Sequence, residues 1–398
     1  MSKNLKELIS YLWNRMKLDY DYIICGGGAS GLSIASGLSK DQYFTNKKIL
    51  IIDPEFPKKL DDRTWCFWEK EKSNWDPLTF HKWEKVVFKS PGINKVISLN
   101  PLRYKMLKSM SYYNQANKII SKNNNIQSLK DKVLSVLDKG THCEVKTENG
   151  LYNSAKVFNS ILDWKLLKNN SKYPLLIQHF EGWFIKTKED IFDKNEATFM
   201  DFSIEQNSNT RFMYVLPFSK NEALVEYTLF SKDLLDKKGY ESSIVSYLQN
   251  SGIKDYTITN KESGEIPMTG FPFQKQNSKN IIYIGSAGGW SKPSTGYTFK
   301  NIERKSETLL KFLKLNDDFK KYSKKTRFWF YDLIFLDVLY QNNHLGRKLF
   351  TQMFKNNNPK LIFKFLDEKS NLFEEIKIMS SFSTGIFLKT IYKRLFNL

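Results

Sequence analysis

The stretch YDYIICGGGASG at residues 20–31 joins a short apolar strand to a glycine-rich turn and then to the start of a helix. Glycines at Gly26, Gly28 and Gly31 allow the turn to fold tightly, the backbone to approach a pyrophosphate, and the helix to pack closely on the strand. This spacing predicts a dinucleotide-binding unit at the beginning of the fold.

The residues that follow complete a β-α-β pattern. Ala29 and Ser30 begin a helix whose N-terminal N–H groups and positive dipole end attract phosphate. A second apolar strand, KILIID at 48–53, ends in Asp53, close to where a carboxylate accepts hydrogen bonds from an adenosine ribose. A glycine pattern alone also occurs in permissive loops, but here the strand, helix, strand and acid occur in order. Asp53 has no obvious basic neighbour for a ribose phosphate, which favours FAD or NAD over NADP.

The composition indicates a globular protein with a basic surface. The 398 residues suggest about two to three domains. The aromatic content of 15% fits a deep apolar pocket, a surface that meets lipid, or simply a large core. The net charge of +20 comes mainly from lysine, since only eight of the 62 basic residues are arginine. Nucleic-acid readers rely on arginine forks, so we expect no nucleic-acid partner, although a basic surface is attracted to anionic lipid.

The cysteines, histidines and apolar segments indicate in which compartment the protein works and whether it binds a metal. Three isolated cysteines without a C-x-x-C pair indicate a reducing compartment, and four scattered histidines lack metal-ligand spacing, so we expect no metal. There is no signal-peptide pattern, and the apolar run at 328–340 is too short to cross a bilayer. Residues 3–18 predict an amphipathic basic helix that either lies in a membrane interface or docks on the protein itself.

Three further features are predicted before residue 160. The aromatic-rich loop DDRTWCFWEKEKSNW at 61–75 surrounds Arg63, and it either closes over a flat cofactor or polyene or caps the core. A helix is predicted over 101–113, with proline at its first position and Arg103 in its first turn. A β-hairpin is predicted across the Asn-Gly turn at 149–150.

Residues 161–264 contain repeated strand patterns and predict an antiparallel sheet. The predicted strands are 183–186, 198–204, 212–217 and 223–230.

A second strand-turn-helix unit occurs at 281–300, IIYIGSAGGWSKPSTGYTFK. The helix is predicted to start near residue 295 and to run to about 313, and its N-terminus would stabilise negative charge on a reduced flavin. An ordinary Gly/Pro turn is the weaker interpretation, because two such units frame the chain. The candidate contact positions of this motif are Gly285, Ser286, Gly288, Gly289, Thr295 and Gly296.

Five runs of this sequence carry a family resemblance. They are DRTWCFW at 62–68, RFMYVLPFS at 211–219, LVEYT at 224–228, GSAGGWSKPSTGYTF at 285–299 and FLDE at 365–368. In this order they resemble the bacterial lycopene cyclase family from about residue 20 to the C-terminal helices.

The resemblance implies an α/β fold: an FAD-binding Rossmann-like domain of the glutathione-reductase or hydroxylase type, an inserted antiparallel-sheet substrate domain and a C-terminal helical region. The boundaries are 1–19 for an N-terminal helix, 20–160 and 265–312 for the discontinuous FAD-binding domain, 161–264 for the substrate domain, and 313–398 for the helical region.

The implied activity is conversion of lycopene to beta-carotene through gamma-carotene, with no net redox change. The implied cofactor is FAD, active in its reduced form, with NADPH or NADH as the reductant. Because lycopene resides in lipid, the implied location is cytoplasmic, peripheral on the inner face of the cell membrane. Either basic terminus is a candidate for the membrane contact.

The resemblance also assigns site residues. The acidic residue of the family falls on Glu226, and a second acidic position falls on Asp201. Arg63 and Arg103 are predicted cofactor contacts beside the two glycine motifs. One departure is Gly285-Ser286, where many related flavoproteins have Gly-Asp, although a serine hydroxyl can still bond the ribityl chain.

Glu226 suits the role of proton donor by its position. On an alternating strand it shares a face with Leu224, Thr228 and Phe230, and desolvation there would raise its pKa and keep it protonated. For a glutamate in a strand, an exposed carboxylate paired to Lys or Arg is ordinarily the favoured interpretation. The family resemblance favours the buried proton donor instead.

Two other function classes are consistent with parts of the sequence. A flavin-dependent oxidoreductase, either a hydroxylase or a prenyl-chain reductase, would use a similar fold on a hydrophobic substrate. A non-enzymatic basic protein that binds membrane or nucleic acid would lack flavin, and the two nucleotide-type motifs disfavour it.

Overall fold

The computed structural model describes residues 18–322, 326–382 and 384–396. The predicted helix at 3–18 lies outside these residues except for residue 18. The strands are β1 Tyr20–Cys25, β2 Ile49–Ile52, β3 Thr64–Lys70, β4 His81–Trp83, β5 Lys85–Ser90, β6 Ile93–Ser98, β7 Leu102–Lys108, β8 Ile126–Leu129, β9 Val133–Asp138, β10 Cys143–Thr147, β11 Leu151–Asn159, β12 Leu175–Thr187, β13 Glu196–Asp201, β14 Thr210–Pro217, β15 Glu222–Ser231, β16 Tyr256–Thr269 and β17 Ile281–Tyr283.

The helices of the described residues are α1 Ala29–Lys40, α2 Ser109–Ile120, α3 Trp164–Lys168, α4 Lys237–Asn250, α5 Phe299–Leu313, α6 Arg327–Gln341, α7 Gly346–Asn356, α8 Pro359–Leu366, α9 Leu372–Ser380 and α10 Thr384–Leu395.

The first sheet has the order β8-β2-β1-β11-β10-β9, and β17 pairs with β11. The pairs β1–β2, β1–β11, β2–β8 and β11–β17 are parallel, while β9, β10 and β11 form the antiparallel meander that includes the predicted hairpin. All four residues of β2 are buried, as expected for a parallel strand covered on both faces. Helix α1 packs against α2 and α5.

The second sheet has the order β16-β12-β15-β14-β13-β5-β6. Its pairs are antiparallel except β5–β13, which is parallel. The predicted strands at 183–186, 212–217 and 223–230 are confirmed as parts of β12, β14 and β15, whereas the predicted strand at 198–204 is confirmed only up to Asp201, where β13 ends. The sequence division differs from the structure at 85–98, because β5 and β6 extend this second sheet although they fall within the predicted FAD-binding segment 20–160.

Two local predictions are wrong. The predicted helix at 101–113 is strand β7 up to Lys108, because these residues pair along their whole length with β3. The predicted aromatic loop is likewise strand β3 over Thr64–Lys70. A small sheet of order β3-β7-β4 results, and helix α2 begins only at Ser109.

The C-terminal segment is helical, as predicted, and covers the second sheet. Helix α6 contacts β12 and β16, and α7 contacts β14 and β5. The largest core cluster joins the second sheet to these helices through side chains such as Phe199, Phe212, Leu336 and Phe354. Among the described residues, no helix is both long and apolar enough to cross a membrane.

Candidate active site

A cavity of about 550 Å³ lies between the carboxyl ends of the parallel strands and one face of the second sheet. Ligand sites commonly have this size and this position in α/β sheets. The cavity brings together eleven of the predicted site residues: Gly26, Gly28, Ala29, Ser30, Asp53, Arg63, Glu226, Gly285, Ser286, Thr295 and Gly296.

The first glycine turn leaves room for a ligand. Gly26 has φ +101° and a Cβ there would collide with the Ser160 hydroxyl, so this position requires glycine. Gly28 is the N-cap of α1, no side chain caps the helix, and a Cβ at Gly28 would meet no protein atom within 4 Å. Gly31 does not line the cavity, because it packs against the carbonyl oxygen of Gly26. The open side of Gly28 and the uncapped first turn form an anion-binding surface.

Asp53 lies beside this turn at the end of β2. Its Oδ2 accepts a hydrogen bond from the Gly27 N–H at 2.7 Å, and its Oδ1 accepts one from the Glu55 N–H at 2.9 Å. The Lys58 Nζ lies 3.4 Å from Asp53 Oδ1 and also lines the cavity. The sequence expectation that Asp53 has no basic neighbour is therefore wrong, since the loop after β2 folds back.

The second glycine motif places four of its six predicted positions in the cavity. Gly288 and Gly289 instead form the tight turn before Trp290, away from the cavity lining. Helix α5 begins at Phe299, four residues later than predicted, because Gly296 has a left-handed φ of +70° that an α-helix excludes. A Cβ on Gly296 would collide with Gln178 Oε1.

Gln178 was missed by the sequence analysis. Its side chain lines the cavity from β12 and is 8% exposed, yet its Oε1 has no hydrogen-bond partner. Buried polar atoms are nearly always satisfied, so an orphaned oxygen beside Gly296 points to a missing ligand donor.

Glu226 faces the cavity from β15, on the same face as Leu224 and Thr228, as predicted. The Thr228 hydroxyl donates a hydrogen bond of 2.6 Å to Glu226 Oε1. Burial raises the pKa of Glu226 from 4.5 to about 8, the negative charge of Glu262 adds to the rise, and the Thr228 hydrogen bond opposes it. Glu226 is therefore mostly protonated near neutral pH.

Glu262 is a second cavity carboxyl that the sequence analysis did not predict. It lies on β16, and both Glu226 and Glu262 pair across Gly182 of β12. A Cβ on Gly182 would lie 3.3 Å from Glu262 Cγ and 3.4 Å from Glu226 Cβ, so the glycine lets the two acids approach each other. Burial raises the pKa of Glu262 to about 7, although a 2.6 Å hydrogen bond from the Thr64 hydroxyl opposes the rise.

Aromatic side chains enclose the two carboxyls. Tyr214 sits directly opposite Glu226 in the β14–β15 register, and burial raises the pKa values of Tyr104, Tyr214 and Tyr297 well above the usual range. Trp65 also lines the cavity. These side chains stay neutral and present π-faces or hydroxyls rather than charges.

Besides Gly31, Gly288 and Gly289, two more predicted site residues lie outside the cavity. Asp201 is buried on the opposite face of the second sheet, where its carboxylate accepts hydrogen bonds from the Ser203 hydroxyl at 2.5 Å and the Tyr247 hydroxyl at 2.9 Å. Arg103 lies on β7 and pairs with Glu71 at 3.4 Å and with Glu84 at 3.5 Å. Neither side chain lines the cavity.

The FLDE run at 365–368 anchors the second glycine motif. The buried Lys292 ammonium lies 3.0 Å from Asp332 on α6 and 3.1 Å from Glu368. Ser294 donates a 2.6 Å hydrogen bond to Asp332. These contacts fix the loop that carries Thr295 and Gly296 against the C-terminal helices. Within the described part of the chain, no group of three or more His, Cys, Asp or Glu side chains could hold a metal ion.

Comparison with known protein families identifies the family of this chain. The family model described as "Lycopene cyclase protein" matches residues 21–390. The chain belongs to the lycopene cyclase family. The resemblance seen in the five sequence runs is thus confirmed, and all five lie within the matched range.

The curated relatives of this lycopene cyclase family member include plant and bacterial enzymes. Capsanthin/capsorubin synthase of Capsicum annuum is 22% identical over 311 residues, which cover 71% of this chain and 58% of that enzyme. Lycopene beta-cyclase of Pantoea ananas is 23% identical over 295 residues, which cover 71% of this chain and 72% of that enzyme. The match therefore spans a little over half of the plant enzyme.

Solved structures share the fold of this lycopene cyclase family member. A geranylgeranyl bacteriochlorophyll reductase-like protein from Thermoplasma acidophilum has a TM-score of 0.59 at 13% identity, covering 94% of this chain and 99% of that one. The halogenase PltM, in a complex with phloroglucinol and FAD, has a TM-score of 0.57 at 13% identity, covering 93% of this chain and 85% of that one. The predicted α/β fold class is confirmed.

Proposed function

We propose that the protein is a lycopene beta-cyclase that converts lycopene to beta-carotene through gamma-carotene with FAD bound. The observation that carries the proposal is the position of the Glu226 carboxyl, whose pKa burial raises to about 8, in a cavity that also contains two glycine motifs. Protonation of an alkene requires an acid that still holds its proton at the working pH, and the raised pKa keeps Glu226 in that form. Family membership and the carotenoid-modifying relatives support the choice of substrate.

The cavity fits FAD by three structural observations. The uncapped first turn of α1 at Gly28 is open to a pyrophosphate, Asp53 lies where a ribose hydroxyl would bind, and Gln178 Oε1 is an acceptor without a donor. We assign the pyrophosphate to Gly26, Gly28, Ala29 and Ser30 with Arg63 nearby. We assign the flavin end to Gly285, Ser286, Thr295 and Gly296. When bound and reduced by NADPH or NADH, FAD supplies an electron-rich ring system that stabilises nearby positive charge.

The proposed reaction begins with proton transfer from Glu226 to the terminal double bond of lycopene. The electron pair of the neighbouring internal double bond then forms the new carbon–carbon bond and closes the ring. Ring closure leaves the positive charge on a ring carbon. When the neighbouring ring carbon loses a proton, the electron pair of the broken C–H bond forms the ring double bond. The formula of the product equals that of the substrate, so no oxidant is consumed.

Glu262 is the proposed base for the last step. Burial raises the pKa values of both carboxyls into the neutral range and their charges repel, so near neutral pH the pair shares one proton and leaves one carboxylate able to accept another. Thr64 and Thr228 orient the two carboxyls by hydrogen bonds of 2.6 Å each. Proton transfer between the carboxyls restores the starting state.

The cavity walls protect and stabilise the cation. Water would trap the cation as an alcohol, so the ring must close where Tyr104, Tyr214 and Tyr297 surround Glu226 rather than at the polar part of the cavity. Trp65 and Tyr297 line the cavity, where their π-faces can stabilise positive charge. Because lycopene dissolves in lipid, we also propose that the protein works as a peripheral protein at the cytoplasmic membrane surface.

The test is expression in a bacterium that accumulates lycopene, with pigments resolved by chromatography and mass spectrometry. The variants are Glu226→Gln and a matched control, Glu222→Gln, on the same strand but at the surface, where Glu222 pairs with Lys186 at 3.3 Å. We expect the unaltered chain and the control to give an isomer of lycopene with beta-ring retention, and Glu226→Gln to leave lycopene intact. A product with two more hydrogens or one more oxygen would instead indicate the reductase or hydroxylase alternative.

A further inference from the structure

A second cavity lies among the C-terminal helices and has a different character. It has a volume of about 450 Å³ between α6, α7, α9 and α10. Its lining is almost wholly apolar, with side chains such as Ile334, Phe335, Met353 and Phe387. Thr295 lines both this cavity and the cavity of Glu226, so the two are neighbours on either side of the anchored 291–296 loop.

The second cavity opens to the surface between α9 and α10. Ile376 and Leu388 line it and are nevertheless 59% and 63% exposed, so they form its mouth. Beside the mouth, Phe373 on α9 is 86% exposed. The other large apolar side chains exposed on these two helices and at the end of α10 are Leu372, Tyr392, Leu395 and Phe396. An apolar patch of this kind on a soluble surface marks an interaction site.

The unpaired charge on the exposed surface of α9 and α10, called here the α9–α10 face, is positive. The two acids on these helices are neutralised, because Glu374 pairs with Lys364 at 2.7 Å and Glu375 pairs with Arg327 at 2.8 Å. Three lysines, Lys377, Lys389 and Lys393, have no carboxylate of the described residues within ion-pair distance. The face therefore combines exposed aromatic and aliphatic side chains with unneutralised positive charge.

We propose that the α9–α10 face docks on an anionic phospholipid bilayer, and that the cavity behind it admits the apolar polyene from the bilayer. The docking is inferred from the exposed apolar patch, the lysines and the cavity mouth, whereas the polyene cargo rests on the proposed function. Helices with apolar and lysine-rich faces lie in membrane interfaces, and each lysine near an anionic surface strengthens the binding. A second copy of the chain fits less well, because a symmetric contact would place the same lysines opposite each other.

The docking is tested by flotation of the purified full chain with phosphatidylcholine vesicles, with and without phosphatidylglycerol. We expect at least about tenfold stronger binding to the anionic vesicles. Phe373→Asp should weaken that binding about tenfold or more, because the phenyl ring no longer enters the bilayer. The matched control is Leu315→Asp, at a side chain that is 84% exposed on another part of the surface, and it should bind like the unaltered chain.

The lysine contribution has its own pair of variants. Lys377→Gln/Lys389→Gln should weaken binding to anionic vesicles about tenfold and leave binding to neutral vesicles unchanged. The control Lys188→Gln/Lys194→Gln, at exposed lysines between β12 and β13, should have little effect. If the unaltered chain binds vesicles and both α9–α10 variants bind them equally well, the proposal is overturned. The basic N-terminal segment would then be favoured as the membrane contact. If Phe373→Asp lowers the molecular mass of the protein in solution and leaves vesicle binding unchanged, the proposal is overturned and the face is a contact between two copies of the chain.

The passage is tested with lycopene in vesicles and in detergent micelles. Leu388→Glu places a charge in the mouth and should lower turnover at least about tenfold in both, because the passage itself is blocked. Phe373→Asp lies beside the mouth and should lower turnover only from vesicles. Equal turnover by Leu388→Glu and the unaltered chain would overturn the passage. Vesicle binding without cyclisation by the unaltered chain would leave the docking intact and refute the proposed function instead.

Discussion

Replacing Glu226 by glutamine should make the folded protein more stable at neutral pH while removing its activity. The pKa of Glu226 is about 8 in the folded chain and 4.5 in the unfolded one. Below pH 4.5 the carboxyl is protonated in both states and does not oppose folding. Between pH 4.5 and 8 the unfolded state releases the proton and the folded state retains it, so the folded state loses stability as the pH rises.

The magnitude follows from that window. Each pH unit between the two pKa values corresponds to about 1.4 kcal/mol, which gives an upper limit of roughly 3 kcal/mol at pH 7. Part of the Glu226 side chain contacts the cavity, so we expect about 1 to 3 kcal/mol. Glutamine does not ionise, and its amide oxygen can still accept the hydrogen bond from Thr228.

The assay is thermal or urea unfolding of the unaltered chain and Glu226→Gln at pH 5, 6, 7 and 8, with the same FAD concentration throughout. We expect the variant to melt about 1 to 4 °C higher at pH 7 and the difference to disappear near pH 5. The control Glu222→Gln, which removes the surface ion pair to Lys186, should change stability by less than about 1 kcal/mol. A Glu226→Gln variant that is less stable at pH 7, or a difference independent of pH, would refute a buried, protonated Glu226.

Four further outcomes are expected. Turnover should be greatest between pH 7 and 8 and fall on both sides, below this range as Glu262 gains a proton and above it as Glu226 loses one, and a pH–rate profile that is flat from pH 5 to 9 would contradict this. Glu262→Gln should still protonate lycopene, but the ring cation should lose a different proton or capture water, giving ring isomers or alcohols in the chromatogram. An unchanged beta-ring product would exclude Glu262 as the base. Asp201→Asn should weaken two buried hydrogen bonds and lower stability by about 1 to 3 kcal/mol while the folded fraction keeps its turnover, whereas complete loss of turnover at an unchanged melting temperature would argue for a catalytic role. Gly28→Ala should leave the apo protein folded, because the added Cβ would meet no protein atom within 4 Å, but weaken FAD binding at least about tenfold in a flavin fluorescence titration, and unaltered affinity would exclude this turn as the pyrophosphate site.

The features that could be predicted from the sequence are those fixed by short stretches of chain. The first glycine motif is local, because a strand, a turn and a helix within about twenty residues specify it. The face on which Glu226 lies follows from strand alternation with Leu224 and Thr228. The role of Glu226 came from the family resemblance and not from its pattern alone.

The pairing of Glu226 with Glu262 could not be predicted, because it depends on the register of three strands. Gly182 lies between the two acids in the sheet although it is far from both in sequence. Hydrogen bonding between distant strands sets such a register, and a shift of one residue would turn a side chain to the other face.

The positions of Asp201 and Arg103 outside the cavity could not be predicted from the sequence, for related reasons. An irregularity in the β13–β14 pairing between Thr198 and Asp201 breaks the alternation, so the face of Asp201 does not follow from counting. Arg103 follows a proline, which is typical of a helix start, but pairing with β3 overrides this local preference. In both cases the tertiary pairing decided the outcome.

Cyclisation of lycopene by the purified protein in deuterium oxide shows whether Glu226 delivers the proton that starts the reaction. A protonated carboxyl exchanges with solvent before it reacts, and the ring loses one proton after it closes. We therefore expect one deuterium in place of one hydrogen for each ring closed, which raises the mass of the product by one unit per ring. Glu226→Gln should give no labelled ring, while Glu222→Gln should match the unaltered chain. Rings that form without deuterium, or labelled rings from Glu226→Gln at the same rate, would contradict proton delivery by Glu226.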